Sequence, residues 1–201
     1  MIRVLIAEDQ AMVRGALASL LTLEGDIEVV AEVARGDEVV AAARDAAIDV
    51  ALLDIEMPGG DGLTAAGELA DALPDVRVVI LTTFGRPGYL RRAMESGARG
   101  FVLKDAPATE LATAIRRVMD GERVLDPTLA AAALADGESP LTPREAEVLA
   151  AARGGSPVAD VAERLHLSQG TVRNYLSSAM QKLGAHSRAE AVKVAEDKGW
   201  L

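Results

Sequence analysis

The sequence predicts an α/β domain built on a parallel sheet over roughly its first 120 residues, followed by a small all-helical domain. Three observations carry this. Five runs rich in Val, Ile and Leu alternate with helix-like stretches, the pattern of consecutive βα units with helices on both faces of the sheet. Four of those runs end in chemically loaded residues: Glu8-Asp9, Asp54, Thr82-Thr83 and Lys104. From Leu141 onward the strand-like runs stop and only helical periodicity remains.

The strands are expected at 2–7, 27–33, 49–53, 76–82 and 100–103. Their near-continuous apolar character suits strands buried on both faces. Helices are expected near 10–23, 36–46, 61–73, 86–97 and 107–120. Punctuation agrees with these bounds. Pro58-Gly59-Gly60 breaks the chain after the third strand, and Pro107 fits a first helical turn. Gly97 and Gly121 stand where helices end. Residues 121–140 read as a linker, with a short Ala-rich helix over Pro127–Ala135. Thr142-Pro143-Arg144-Glu145 is a capping box with proline at the first helical position. A second helix is expected from about Pro157 to Leu165, and a third from the Ser168 cap to Leu183. A fourth follows the Ser187 cap and ends before Gly199-Trp200. Two short helices joined by a tight turn, the second longer and free of acids, form a helix-turn-helix pattern.

Composition removes several classes. Half of the residues are hydrophobic but only 2% are aromatic, so the cores rest on Ala, Val, Leu and Ile. Cysteine is absent, which excludes disulfides and thiolate metal sites, and two histidines argue against a His-rich zinc site. The chain opens directly on a strand with no basic leader, and no apolar run approaches ~18 residues. A cytoplasmic protein with no membrane segment is the expectation. The net charge of −10 is unevenly placed. Residues 1–138 carry 13 basic and 24 acidic residues, whereas 139–201 carry 8 and 7. The stretch 168–183 holds Arg173 and Lys182 and no acid, so the acidity belongs to the first domain and does not oppose nucleic-acid binding by the second.

In an open α/β sheet, chemistry sits at the carboxyl ends of the strands. Three carboxylates, a hydroxyl and an ammonium would converge there. A carboxylate can accept a phosphoryl group. A magnesium ion on carboxylate oxygens and a lysine would neutralise the incoming charge. A nearby hydroxyl would bond the new oxygens only in the modified state, as a switch requires. The motifs IAED (6–9), LLDIEMPGGDG (52–62), ILTT (80–83) and GFVLKD (100–105) resemble those of the receiver domain of bacterial two-component response regulators. The resemblance covers residues 1–120 and implies a flavodoxin-like (βα)5 fold. It makes Asp54 the phosphoacceptor, places Mg2+ on Glu8, Asp9, Asp54 and the Glu56 backbone carbonyl, and makes Thr82 the switch hydroxyl, Lys104 the phosphate-binding lysine and Phe101 the switch aromatic. Many receivers have a cis proline after the lysine. Here Asp105 stands in that place, and a trans bond is expected.

Residues 141–195 resemble the LuxR/NarL/FixJ-type DNA-binding domain through LTPREAEVL (141–149), VAERLHLSQGTVRNYL (161–176) and KLGAHSRAEAV (182–192). On the third helix, Thr171, Arg173, Asn174, Ser177 and Gln181 form a polar set, and Val172, Leu176, Met180 and Leu183 a buried one. The resemblance implies that Arg173, Asn174 and Ser177 face bases, and that Thr171 and Lys182 contact phosphates. Two departures stand out: Ser156-Pro157 opens the second helix where many members have Ser-Asn, and Tyr175 stands where many have histidine. With few basic residues facing DNA, one copy should bind weakly, and a dimer on paired half-sites is expected. The segments IAEDQ, TTFGRPGYL and KGW further resemble a DesR-like subgroup.

The resemblance therefore implies a transcriptional regulator, not an enzyme. A sensor histidine kinase would phosphorylate it, and it would dimerise on phosphorylation and bind double-stranded promoter DNA. Two dimer faces are candidates: the first and last receiver helices (10–23 and 107–120), or the final helix (188–198). One rival reading keeps DNA binding but treats the receiver as a phosphorylation-independent dimerisation module. Another is a phosphatase resembling the haloacid-dehalogenase class. Those enzymes carry a second aspartate two residues after the nucleophile, where this chain has Glu56, and the length leaves no room for a cap domain.

Overall fold

The structure, a computed structural model, describes residues 1–83, 87–125, 130 and 139–201, the side chains of Pro87, Gly88 and Ala108 excepted. The expected Ala-rich helix at 127–135 lies outside those residues apart from Ala130. The chain divides into two compact units, one holding the sheet and its helices, the other the C-terminal helices.

The first unit has strands β1 (Ile2–Ala7), β2 (Ile27–Val33), β3 (Val50–Asp54), β4 (Arg77–Thr82) and β5 (Gly100–Leu103). They pair in parallel in the order β2-β1-β3-β4-β5, the flavodoxin-like order. Helices α1 (Ala11–Thr22), α2 (Val39–Ala46), α3 (Gly62–Ala72), α4 (Pro87–Glu95) and α5 (Ala108–Met119) alternate with the strands. Side chains along a strand alternate faces. Val4, Ile6, Val50, Leu52, Val79 and Leu81 pack with Leu21 of α1 and Leu111, Ile115 and Val118 of α5. Leu5, Leu53 and Ile80 alternate to the opposite face and are equally buried, as are Val39 of α2 and Leu69 of α3. Burying one such side chain stabilises the fold by about 1.5–3 kcal/mol. Both faces are covered, which is why the strands lack polar alternation.

The strand order positions the site. The chain runs from β1 outward to β2 and then returns to β3 on the other side, so β1 and β3 flank the point where the order reverses and a crevice opens. Their last paired residues are Ala7 and Leu53, which sets Glu8 level with Asp54. Asp54 pairs with Leu81, and Thr82 with Leu103, so Thr82 and Lys104 follow at the same edge. Gly62 is required by close approach: a Cβ there would lie 1.9 Å from the Asp54 carbonyl oxygen. Its N–H donates to the Ile55 carbonyl at 2.9 Å, folding the loop after β3 back against the strand end.

Differences from the expected elements are local. The predicted second helix opens with a 3-10 turn at Gly36–Glu38. Pro107 and Pro157 are N-caps with extended ψ, one residue before the helices they introduce. The proline ring fixes φ but leaves ψ free, so it suits either position. Gly97 and Gly121 have φ of 88° and 86° just past α4 and α5, where glycine ends a helix without steric penalty. The Lys104–Asp105 peptide is trans. Val124, placed by sequence in the linker, bridges the outer edge of β5: it accepts from Phe101 N–H and donates to Arg99 O, both at 2.9 Å.

The second unit contains α6 (Pro143–Ala151), α7 (Val158–Arg164), α8 (Gln169–Leu183) and α9 (Arg188–Asp197). The capping box is formed in both directions: Thr142 accepts from Glu145 N–H, and Glu145 accepts from Thr142 N–H. Ser168 and Ser187 cap α8 and α9 by accepting from Thr171 and Glu190 N–H. Val148, Leu149, Val161, Val172, Leu176, Ala179, Ala191 and Ala195 form the core. Met180 and Leu183 pack only at its margin. His166, with φ of 53°, makes the sharp turn between α7 and α8.

Candidate functional site

The sheet edge gathers the expected acidic residues. One carboxylate oxygen from each of Glu8, Asp9 and Asp54 lies within 4.8 Å of the others. Glu8 and Asp54 are buried, whereas Asp9 is exposed. Lys104 reaches in from the end of β5, its Nζ 2.6 Å from Glu8 Oε2 and 2.9 Å from Asp54 Oδ1. Its N–H donates to the Thr82 carbonyl at 2.8 Å, which aligns the two strand ends. Asp54 Oδ1 also accepts from Ile55 N–H at 2.8 Å, and Glu8 Oε1 from Gln10 N–H at 3.2 Å. Asp9, Asp54, Glu56, Thr82, Thr83 and Lys104 line a small cavity of about 120 Å³ over this cluster.

Charge in the pocket is under-compensated. Burial pushes the Glu8 carboxyl above its usual range; the Lys104 contact opposes this and the Asp54 charge adds to it. Burial likewise raises Asp54, against the pull of Lys104 and the Ile55 N–H. Burial disfavours the Lys104 ammonium, but Glu8 and Asp54 outweigh it and hold its pKa above the ordinary lysine value. Glu8 Oε2 is fully buried and its ion pair is with the Lys104 ammonium that Asp54 also uses. Three acidic side chains facing one ammonium form a hard oxygen site that fits a divalent cation such as Mg2+.

Phe101 is buried but lies apart from this pocket. It lines a cavity of about 530 Å³ between β5 and α5, with Val102, Leu103, Thr113, Ala114 and Val124. Sequence reasoning missed one support of the acid pair. Arg14 of α1 donates to the Glu8 backbone carbonyl at 2.5 Å, a contact no local pattern signals.

On α8, Arg173, Asn174, Ser177 and Gln181 are exposed, opposite Val172, Leu176 and Ala179. The Arg173 guanidinium donates to Gln169 Oε1 one turn earlier at 3.2 Å. The Thr171 hydroxyl lies 2.8 Å from Ser168 Oγ within the helix cap. Lys182 is engaged elsewhere: its Nζ donates to Glu145 Oε2 at 2.7 Å. Glu145 is only 4% exposed. It also accepts from Ser178 Oγ at 2.6 Å and Thr142 N–H at 2.7 Å. Led by Lys182, these donors hold its pKa down at about 2.

Comparison with known proteins agrees with both halves. Residues 4–116 match the response regulator receiver domain, and residues 139–195 match the luxR family of bacterial regulatory proteins. Over the whole of both chains the protein is 48% identical to the uncharacterized transcriptional regulatory protein YvfU of Bacillus subtilis (strain 168). It is 46% identical, again over the whole of both chains, to the transcriptional regulatory protein DesR of the same strain. A solved structure of two RcsB dimers bound to two parallel DNAs matches with a TM-score of 0.68 and 25% identity, covering 98% of each chain. Fold and site thus define a DNA-binding regulator with a receiver. The chain belongs to the two-component response regulators with a luxR-type helix-turn-helix domain. It is a transcriptional regulator and not an enzyme, and the phosphatase reading falls. Among the described residues, no helix is long and apolar enough to cross a membrane.

Proposed function

We propose that this regulator is switched by Mg2+-dependent phosphorylation of Asp54 from a sensor histidine kinase, and that phosphorylation promotes dimerisation and promoter binding. The observation that carries the reading is the convergence of Glu8, Asp9 and Asp54 around Lys104 at the β1–β3 crevice. Oδ1 of Asp54 is held by Lys104 and the Ile55 N–H, so we assign Oδ2 as the nucleophile. It forms a P–O bond as the P–N bond of a phosphohistidine breaks and the imidazole leaves. Glu8, Asp9, Asp54 and the Glu56 carbonyl hold the magnesium, which when bound neutralises charge on the transferred group. Lys104 then has a phosphoryl oxygen to pair with, and the Thr82 hydroxyl bonds another, biasing a two-state receiver in which Phe101 follows. On DNA, Arg173, Asn174 and Ser177 face bases, and Thr171 contacts phosphate.

Two surfaces could pair the copies, and one observation favours α1 with α5. Met12, Leu20, Leu23 and Met119 are large exposed apolar side chains there, whereas α9 exposes none of that size among the described residues. The domain bounds we adopt are 1–120, 121–140 and 141–201. The test is sedimentation of the full chain with Mg2+, with and without beryllofluoride, an acyl-phosphate mimic, beside Asp54→Ala. Dimerisation of wild type alone is expected. If the two proteins sediment alike, phosphorylation does not drive dimerisation, and DNA binding by both then decides whether the receiver is merely a phosphorylation-independent module.

A further inference from the structure

We infer that Lys182 is a positioning residue that docks the DNA-facing helix onto α6 through Glu145, and is not one of the phosphate contacts. This departs from the role its family resemblance suggests. It rests on the reading that α8 faces DNA.

The geometry of α8 separates Lys182 from the groove-facing stripe. At about 100° per residue, Ser178 and Lys182 fall within roughly 40° of each other, on the flank toward α6. Lys182 stands roughly 130° round the helix from the centre of the stripe formed by Arg173, Asn174 and Ser177, which removes it from base contact. Thr171 shares its flank at the other end of the helix, so the case against a phosphate contact rests on the Glu145 bond. Both flank residues end on one carboxylate: Ser178 Oγ at 2.6 Å from Glu145 Oε1, and Lys182 Nζ at 2.7 Å from Oε2. Glu145 is itself fixed by the Thr142 N–H at 2.7 Å, so α6 presents a rigid acceptor. The Glu145 side chain is 6% exposed and that of Lys182 is 35%. Moving the ammonium to a phosphate would strand a buried carboxylate, which is strongly unfavourable. The Lys182 charge is already neutralised within the protein, so binding DNA releases no counterion on its account.

Counterion release makes this measurable with DNA of any sequence. The full chain is titrated with a random-sequence duplex over a series of salt concentrations, and log K is plotted against log salt. On random-sequence DNA Arg173 has no fixed base to read and acts as a groove cation, so Arg173→Gln should reduce the slope by up to about 0.9. Lys182→Gln should weaken binding by a similar factor at every salt concentration while keeping the wild-type slope, and Lys182→Arg should restore affinity. Glu145→Gln keeps the shape of the carboxylate but removes its charge, leaving the Lys182 ammonium uncompensated, and the slope should steepen by up to about 0.9. If Lys182→Gln loses slope as Arg173→Gln does, or if Glu145→Gln leaves the slope unchanged, the assignment is overturned. If Lys182→Gln fails to fold, Glu145→Gln and Lys182→Arg decide. If Arg173→Gln itself leaves the slope unchanged, the reading of α8 as the DNA-facing helix is what fails, and the Lys182 result is then read against the new contact face.

Discussion

Each half of the molecule buries a carboxylate against a lysine, with opposite electrostatic results. In the receiver, Glu8 and Asp54 share Lys104, and both carboxyls are raised above their usual range. In the helical domain, Glu145 has Lys182, Ser178 and the Thr142 N–H to itself, and its pKa falls to about 2. In the receiver burial leads and outweighs the Lys104 contact, whereas at Glu145 the bonds from Lys182, Ser178 and the Thr142 N–H outweigh burial. The receiver pocket holds an unspent negative charge, which a cation or a phosphoryl group with its cation can resolve. The helical cluster is satisfied and serves to fix one helix on another.

The largest effect that would test this contrast is expected from Lys104→Met. It leaves two buried carboxylates without their common partner, and breaking a buried pair costs about 3–5 kcal/mol. The receiver should melt well below wild type in the absence of magnesium. Added Mg2+ should stabilise the variant more than it stabilises wild type, because binding to the folded state alone shifts the equilibrium by mass action. Calorimetry of both proteins with and without the ion is the measurement. Equal melting without Mg2+ would mean that Lys104 does not hold the pocket together.

Glu145→Gln comes next. It keeps the shape but loses the charge-assisted bond to Lys182, and the cost should be about 1–2 kcal/mol, the low end for such bonds because Lys182 is about a third exposed. Trp200 is the single tryptophan and packs against the helical core, so its fluorescence follows this domain alone. Acid should act as the proton's version of the same substitution. Glu145 has its pKa lowered from 4.5 to about 2, so its contribution is full above pH 4.5 and is lost as pH falls toward 2. The wild-type Trp200 transition should weaken over that window, and the weakening should be smaller in Glu145→Gln. A profile identical in both proteins would assign the acid limb to other groups.

Much of this contrast was legible in the sequence, and the remainder was hidden for a physical reason. The strands announced themselves through Val, Ile and Leu runs because both faces of a parallel sheet are buried. Glu8, Asp9, Asp54, Thr82 and Lys104 stood out because each follows such a run. Glu145 was legible only as the partner of Thr142, a spacing of three residues. Its contacts with Ser178 and Lys182 span 33 and 37 residues and exist only because α6 packs on α8. Val124 sits among polar linker residues, and its pairing answers the open edge of β5, which no local pattern encodes. Ala179 takes the buried position expected of Met180, since an ideal helix turns slightly more than the counted spacing allows and a small side chain suits the inner position.

The smallest effect has the opposite sign. Asp54→Asn removes one negative charge from a pocket that carries too many for its single ammonium, while keeping an oxygen to accept from the Ile55 N–H. Without magnesium the receiver should gain stability, because the neutral amide avoids the cost of burying the Asp54 charge and its repulsion with Glu8 and Asp9. The gain should grow as pH rises above the ordinary carboxyl range. Carboxyls raised in the folded state favour folding when protonated and oppose it once ionised, so wild type loses stability over that interval and the variant is spared part of the loss. Mg2+ should then erase the difference by stabilising wild type more than Asp54→Asn. Melting with and without the ion at pH 5 and pH 7 reads all of this. Destabilisation by Asp54→Asn at both pH values would show that Lys104 already balances the pocket, and the distinction between an under-compensated receiver site and a satisfied helical one would collapse.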